Sequence, residues 1–421
     1  MTDSAGQRPI AAAELDAVVA DVLDRTAIFD IHSHLFAPAF GSLGLWGIDE
    51  LLTYHYLEAE LFRSAPITPD AYWSLDKPAR ADLIWRTLFV DRPPVSESTR
   101  GVVAVLHALG LDARAASLAP LRAFFAAQSI ETHLPRVMAL AGISDVVMTN
   151  DPLDPDEAPV WLRGVEPSPG IHAALRLDRI VNDWPGHWQA LAAAGYDVAA
   201  DAGGRTMSEV RRFLADWVLR MRPLYMAVSL PDTFAYPVDD VRTAIVRGAV
   251  LPACQEHGMP MALMIGVRRQ VNPALRLAGD ASGLADLRAL GALCQEFPAA
   301  RFLVTLLSRE NQHELCVYAR KFANLMPFGC WWFLNNPSMV EEITRMRLEM
   351  LGTTFIPQHS DARVLEQVIY KWRNSRRSIA PVLARSYRFL VEDGRSVSRA
   401  DIEADVQRLF RTNFTSFVGI T

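Results

Sequence analysis

The chain has 421 residues and a net charge of −6, with 42 lysines and arginines against 48 aspartates and glutamates. Apolar residues make up 50% of it, which excludes an intrinsically disordered chain because such chains lack the apolar surface to offset conformational entropy. The mildly acidic balance argues against a nucleic-acid-binding protein, which needs a basic face. Without a long apolar run or a secretory leader pattern, the sequence predicts no membrane span and a cytoplasmic location.

Short apolar runs alternate with helical stretches along most of the chain. Each run is almost continuously apolar, as expected of parallel strands that are buried on both faces. The eight runs are 27–34, 145–149, 171–177, 225–230, 260–266, 302–307, 325–332 and 354–358. Eight strands that alternate with helices predict an α/β protein with a (β/α)8 barrel, the TIM barrel fold.

The segment between the first two runs, 35–142, is far too long for a single crossover and is helical throughout. It predicts an α-helical insertion after the first strand, over the barrel mouth where βα loops build active sites. The expected organisation is an N-terminal helix and first strand in 1–34, the insertion in 35–142, and the rest of the barrel with C-terminal helices in 143–421.

Two histidines, His32 and His34, lie at the end of the first predicted strand. Side chains at positions i and i+2 of a strand point to the same side, so both imidazoles face one direction. Two imidazoles are suitable ligands for zinc or manganese. Such a pair also arises by chance in exposed segments, but its position at the end of a barrel strand favours metal binding.

Asp361 follows the last predicted strand, which neighbours the first strand in a closed barrel. The carboxylate is therefore expected to reach the same metal ion as His32 and His34, although it could also cap the following helix. His359 and Arg363 flank this position, and Arg363 would keep a nearby carboxylate or phenolate ionised. The middle strands supply no further metal ligands, so a single metal ion is predicted.

Other polar residues near strand ends could contact a substrate. Tyr56, in the insertion, is explained most simply as part of a buried aromatic stripe, but a nearby cation would lower the pKa of its phenol toward that of a base. Arginines at strand ends can bind a carboxylate through a bidentate fork. These arginines are Arg176, Arg268, Arg269 and Arg309, and they predict a small anionic substrate.

With these residues, the sequence resembles the uronate isomerase (glucuronate isomerase) family of the amidohydrolase superfamily. The matching segments are spread over nearly the whole chain and occur in the order expected of the family. They are 30–35, 55–56, 175–179, 331–333 and 360–363.

The resemblance implies a metal-dependent aldose–ketose isomerase of carbohydrate metabolism. It would interconvert D-glucuronate with D-fructuronate, and D-galacturonate with D-tagaturonate, through an enediol. It implies one divalent metal ion, with zinc expected, held by His32, His34 and Asp361. The catalytic residues implied are Tyr56, His55, Asp361 and Arg363, and the substrate-binding candidates are Arg176, Trp331, Arg309 and His359.

The expected partner is thus a small uronate sugar, with no nucleic acid or membrane, and a homo-oligomer is left open. An alternative is a mononuclear metal-dependent hydrolase that acts on a small acidic amide, lactone or ester, in which the same ligands would activate water. The scarcity of histidines on the middle strands disfavours this alternative. A catalytically inactive barrel is a third possibility.

Overall fold

The computed structural model describes residues 8–165 and 168–420. Eight strands are present in the described part of the chain. They are β1 Ile28–Ser33, β2 Ile143–Asn150, β3 Ile171–Arg176, β4 Met226–Pro231, β5 Met261–Arg268, β6 Ala281–Ser282, β7 Phe302–Leu306 and β8 Leu325–Pro327.

Seven of these strands form one curled parallel sheet in the order β1-β2-β3-β4-β5-β7-β8. The short strand β6 pairs antiparallel with the end of β5. Every residue of β1 and of β7 is buried, which agrees with the continuous apolar runs of the sequence. The prediction of an α/β fold is confirmed, and the first six predicted strands correspond to β1–β5 and β7.

The last two predicted strands differ from the structure. The run 325–332 forms a strand only as far as Pro327, because the chain turns at Gly329, which has a φ of +61°. The run 354–358 forms no strand and pairs with Phe328 through a single bridge at Ile356. Periodicity alone did not reveal that bends at this edge of the sheet interrupt regular pairing.

Helices surround the sheet and fill the predicted insertion. The helix before β1 is α1 Leu15–Arg25, and residues 1–7 of the predicted N-terminal helix lie outside the described residues. Between β1 and β2 the helices are α2 Ile48–Leu52, α3 His55–Ser64, α4 Pro69–Trp73, α5 Lys77–Trp85, α6 Glu97–Leu109, α7 Ala119–Ala126 and α8 Ile130–Ala141.

The remaining helices connect the later strands and close the C-terminal part of the chain. They are α9 Ala158–Leu162, α10 Asp178–Asn182, α11 Trp184–Ala193, α12 Thr206–Met221, α13 Val241–Ile245, α14 Leu251–Glu256, α15 Arg288–Glu296, α16 Asn311–Ala319, α17 Pro337–Leu351, α18 Gln367–Glu392, α19 Arg399–Gln407 and α20 Asn413–Val418. Of the helices described, none has the length and apolar character to cross a membrane.

The insertion is attached to the segment that precedes α18 by a buried polar contact. Glu366 is fully buried and accepts hydrogen bonds from His133 Nε2, at 2.8 Å, and from the backbone N–H of Gly47, at 3.2 Å. A buried carboxylate that loses such partners is costly, so this contact fixes the insertion relative to the loop that carries Asp361.

Candidate active site

The three predicted metal ligands converge at the C-terminal end of β1. The Oδ1 atom of Asp361 lies 3.4 Å from His34 Nε2 and 3.9 Å from His32 Nε2. The three ligand atoms lie within 4.8 Å of one another, as the ligands of one ion must. The structure thus brings together residues that are more than 320 positions apart in the sequence.

Hydrogen bonds to β1 set the position of Asp361. Its backbone N–H donates to the carbonyl of His32 at 3.1 Å. The preceding N–H, of Ser360, donates to Asp30 Oδ1 at 3.0 Å, and Trp372 Nε1 donates to Asp30 Oδ2 at 2.9 Å. Asp361 itself has a φ of +50°, a left-handed conformation that costs energy in a residue other than glycine and is typical of functional sites.

Burial and charge determine the protonation of this group. Burial lowers the pKa of His32 and of His34, so both imidazoles are neutral near pH 7. Burial acts to raise the pKa of Asp361, but the close approach of His34 and the charge of Lys371 hold it well below its ordinary value.

Two polar atoms of this group have no hydrogen-bond partner among the described residues. They are His32 Nε2 and Asp361 Oδ1, and both are buried. Unpaired buried polar atoms are rare because each is costly. Two neutral imidazoles and one carboxylate are a suitable ligand set for zinc, and the unpaired atoms would bind it, so these residues fit a divalent cation.

A cavity of about 480 Å³ opens above the three ligands, a volume suited to a small-molecule ligand. Residues of the parallel sheet and its loops line it together with residues of the insertion. Seven of the residues predicted from the sequence contribute to its wall: His34, His55, Arg176, Arg269, Trp331, Asp361 and Arg363.

Two arginines differ in how free they are to bind a substrate. Asp178 accepts hydrogen bonds from Nε and Nη2 of Arg176, at 2.9 and 3.2 Å, so Nη1 and the second N–H of Nη2 are left for a ligand. The guanidinium of Arg363 is exposed and has no hydrogen bond or ion pair with any residue that the structure describes. Both arginines and His34 also line a second cavity of about 400 Å³, which therefore adjoins the first.

Tyr56 does not line the main cavity. Its ring packs against the rings of His55 and Tyr54, with centroid distances of 4.4 and 5.1 Å. Its hydroxyl is buried without a hydrogen-bond partner in the described chain, beside a much smaller cavity that Tyr370 also lines. Burial raises the pKa of Tyr56 well above its ordinary value, so the phenol keeps its proton. The structure therefore places Tyr56 behind His55.

His359 and Arg309 also lie away from the cavity wall. His359 is fully buried, its ring packs edge-on against that of His32 at 5.5 Å, and burial lowers its pKa to about 4. Only glycine fits at position 329 beside it, because a Cβ there would lie 1.7 Å from His359 Nδ1. Arg309 is exposed and its Nε lies 3.0 Å from Glu342, outside the cavity.

Sequence reasoning missed several lining residues. Four lie at strand ends or in the insertion: Tyr54, Ser229, Met264 and Trp332. Others, such as Leu277 and Asp280, come from the irregular loop after β5, where the buried Asp280 accepts a hydrogen bond from Nη1 of the predicted Arg269 at 2.5 Å. Tyr54 is adjacent to His55 and could have been noticed, whereas a loop without periodicity gives no such signal.

Comparisons with known proteins connect this site to a family. No protein-family model matches the chain, and no curated protein matches it. Among solved structures, a uronate isomerase from Bacillus halodurans C-125 is 49% identical, covers 98% of both chains and has a TM-score of 0.96. A uronate isomerase from Thermotoga maritima is 16% identical, covers 97% of both chains and has a TM-score of 0.75.

A glucuronate isomerase from Caulobacter crescentus is 15% identical over all of this chain and 95% of its own, with a TM-score of 0.77. At these lower identities the Thermotoga and Caulobacter structures show a common fold. The Bacillus structure matches in both sequence and fold over nearly the full length.

Proposed function

The chain belongs to the uronate isomerase family, and on this premise we propose that it interconverts D-glucuronate with D-fructuronate and D-galacturonate with D-tagaturonate. The observation that carries the proposal is the 49% identity over 98% of the chain with a uronate isomerase. The site supports it, because free cationic groups face the same cavity as the three converging ligands. The alternative of a hydrolase has no comparable support.

We propose that His32, His34 and Asp361 hold one divalent cation, with zinc as the expected ion. The ion would polarise the sugar carbonyl and stabilise negative charge on oxygen as the enediol forms. The His-His-Asp donor set and its unpaired atoms support this assignment.

Recognition of the substrate carboxylate is assigned to Arg363 together with Nη1 of Arg176. Arg363 has no acidic partner in the described chain, so its guanidinium can bind a carboxylate without first breaking an ion pair. Trp331 would pack against the sugar, and His55 would offer its buried, unbonded Nε2 to a hydroxyl group. Fixing one end of the substrate in this way would place C1 and C2 beside Asp361.

The isomerisation requires that a base remove the proton on C2 and that a proton be returned to C1. Asp361 is the proposed base, because its carboxylate is ionised and lies in the cavity wall. Tyr56 was predicted as an alternative base, but its phenol keeps its proton. We therefore propose that Asp361, once it has taken the proton from C2, returns this proton to C1, and that Tyr56 packs against His55 and positions its ring.

We also propose that the curled sheet closes into a complete (β/α)8 barrel. Segment 354–362 would take the place of an eighth strand between β8 and β1. Its hydrogen bonds on both sides support this: Ile356 N–H donates to Pro327 at 3.0 Å, and His34 N–H donates to Ala362 at 2.7 Å.

The proposal predicts that the purified, zinc-loaded protein converts D-glucuronate and D-galacturonate to the corresponding ketoses. Product formation can be followed by NMR, and a reaction in D₂O shows whether the transferred proton exchanges with solvent. If neither sugar is converted, the proposed function is wrong.

A pair of arginine variants makes this test sharper. Arg363→Met should raise KM about 10–100-fold, since a charge-assisted hydrogen bond contributes about 1.5–3 kcal/mol. Arg309→Met removes the same charge outside the cavity, so its KM should stay at the wild-type value. A normal KM in Arg363→Met would contradict the carboxylate assignment.

A further inference from the structure

Two hydroxyl groups surround one ring nitrogen of His32. Its Nδ1 atom lies 3.0 Å from the hydroxyl of Tyr225 and 3.4 Å from Oγ1 of Thr149. Tyr225 directly precedes β4 and Thr149 lies in β2, so the two hydroxyls come from different parts of the sheet. All three side chains are at most 5% exposed, which excludes bulk water as the partner of Nδ1.

Each of these hydroxyls donates its only proton to a backbone carbonyl and not to His32. The hydroxyl of Tyr225 donates to the carbonyl of Ile31 at 2.7 Å. The hydroxyl of Thr149 donates to the carbonyl of Ser33 at 2.8 Å. A hydroxyl has one proton to donate and two lone pairs that accept. Toward His32, both oxygens can therefore only accept.

This proton count fixes the tautomer of the neutral imidazole. If Nδ1 carried a lone pair, it would face two oxygen lone pairs with no proton between them. With the proton on Nδ1, the ring donates to Tyr225 and Nε2 presents its lone pair toward Asp361, whose Oδ1 lies 3.9 Å away.

We propose that Tyr225 and Thr149 form a hydroxyl clamp that locks His32 in its Nδ1-protonated tautomer and so prepares Nε2 to bind the metal ion. They are positioning residues that act through His32. The inference rests on the proposed function, since the cation is the one that the isomerisation would use. The same two hydroxyls also bind the β1 carbonyls on either side of His32, so the clamp fixes the ring and its strand together.

The tautomer can be observed directly in the full-length, metal-free protein. Histidine ¹⁵N NMR distinguishes a protonated from an unprotonated ring nitrogen, and the signals of His32 can be assigned by their loss in His32→Gln. We expect the proton on Nδ1 in the wild type. A proton on Nε2 would overturn the proposal without any variant being made.

Variants of the clamp give a second, independent readout. Tyr225→Phe and Thr149→Val keep side-chain shape but remove the acceptors, so the tautomers should mix in the double variant. Zinc affinity, measured by competition with a chelator, should fall about 10–100-fold, the usual cost of losing such a supporting partner. Tyr387→Phe is the control, since it removes another buried hydroxyl, one that donates to Asp405 at 3.1 Å, far from the site.

The outcomes separate the clamp from the proposed function. A double variant with wild-type tautomer and zinc affinity would overturn the clamp, even if the protein isomerises both sugars. If the double variant fails to fold, the two single variants and the wild-type spectrum still test whether the clamp sets the tautomer of His32. The expected tautomer and a selective loss of zinc affinity would support the clamp even in a protein that converts neither sugar.

Discussion

The two sides of the cavity hold their polar groups in different ways. The barrel wall consists of His32, His34 and Asp361. The insertion wall consists of Tyr54 and His55, and Tyr56 packs behind His55. On the barrel wall, hydrogen bonds to neighbouring strands set the direction of individual atoms, as for His32 Nδ1 and the backbone N–H of Asp361.

The insertion wall is held by ring packing instead. The ring of His55 lies 4.1 Å from that of Tyr54 and 4.4 Å from that of Tyr56, measured between centroids. His55 Nε2 and the Tyr56 hydroxyl are buried and have no hydrogen-bond partner among the residues described. Each such atom costs about 1–3 kcal/mol when left unpaired, and for His55, which lines the cavity, a bound sugar hydroxyl could offset this cost.

The difference suggests a division of labour between the two walls. Hydrogen bonds fix the atoms that a metal ion and a proton transfer require, where small displacements are costly. Packed rings fix a surface while their polar atoms stay available to a ligand. We therefore expect substitutions on the barrel wall to reduce turnover, and substitutions on the insertion wall to change substrate recognition.

The largest effect is expected from Asp361→Asn. This change keeps the size of the side chain but removes the negative charge that we propose both as base and as metal ligand. Turnover should fall roughly 10²–10⁴-fold, the usual range for loss of a general base. Steady-state kinetics with D-glucuronate, together with zinc content, measures both consequences.

A matched control lies at the opposite end of the barrel. Asp145, near the start of β2, accepts hydrogen bonds from His172 and Arg411 and lies far from the cavity. Asp145→Asn should lower stability and leave kcat unchanged, because the N-terminal end of a barrel contributes to stability rather than to catalysis. Equal turnover in the Asp361→Asn variant and the wild type would remove Asp361 from the mechanism.

Glu157 tests whether hydrogen bonds are enough to keep a buried carboxyl group ionised. It lines the second cavity and accepts from Asn150 Nδ2 and the N–H of Asp151, both at 3.1 Å. Burial nevertheless raises its pKa to about 7. Between an unfolded-state pKa of about 4.3 and this value, the folded protein binds more protons, so the free energy of unfolding should fall as pH rises.

Glu157→Gln should remove this pH-dependent loss of stability, while its amide oxygen can still accept the hydrogen bonds from Asn150 and Asp151. Urea denaturation between pH 4 and pH 8 should show the variant gaining up to about 3 kcal/mol over the wild type as pH rises. The exposed Glu392→Gln provides the control, since its curve should stay parallel to that of the wild type. Parallel curves for Glu157→Gln would mean that Glu157 is ionised at little cost.

The contrast between the walls also explains what the sequence could predict. The convergence of His32, His34 and Asp361 was predictable because strand ends meet at one edge of a sheet, so the three residues could be placed together from their positions alone. The helical insertion was predictable for a similar reason, since no single crossover occupies 35–142. Both inferences depend on topology and not on the details of packing.

Predictions that depended on side-chain partners were less successful. Arg309 and Arg363 both follow predicted strands, but Glu342 binds one and no described residue binds the other. Tyr225 reaches His32 across 193 positions of sequence, a contact that no local pattern indicates. Bends at Gly329 and Asp361 replaced regular pairing at the last edge of the sheet, which the apolar run 354–358 did not reveal.

The smallest effects are expected at the insertion wall, where two neighbouring tyrosines should behave differently. Tyr54 lines the cavity, so Tyr54→Phe should raise KM up to about tenfold, the equivalent of one neutral hydrogen bond, with kcat nearly unchanged. Tyr56 lies behind His55 and does not reach the cavity, so Tyr56→Phe, which keeps the ring packing, should leave both kcat and KM nearly unchanged. Kinetics with D-glucuronate and D-galacturonate, which differ at one hydroxyl, would also show whether Tyr54 selects between them. If both variants changed only kcat, ring packing would serve catalysis as directly as the hydrogen bonds of the barrel wall, and the division between the walls would fail.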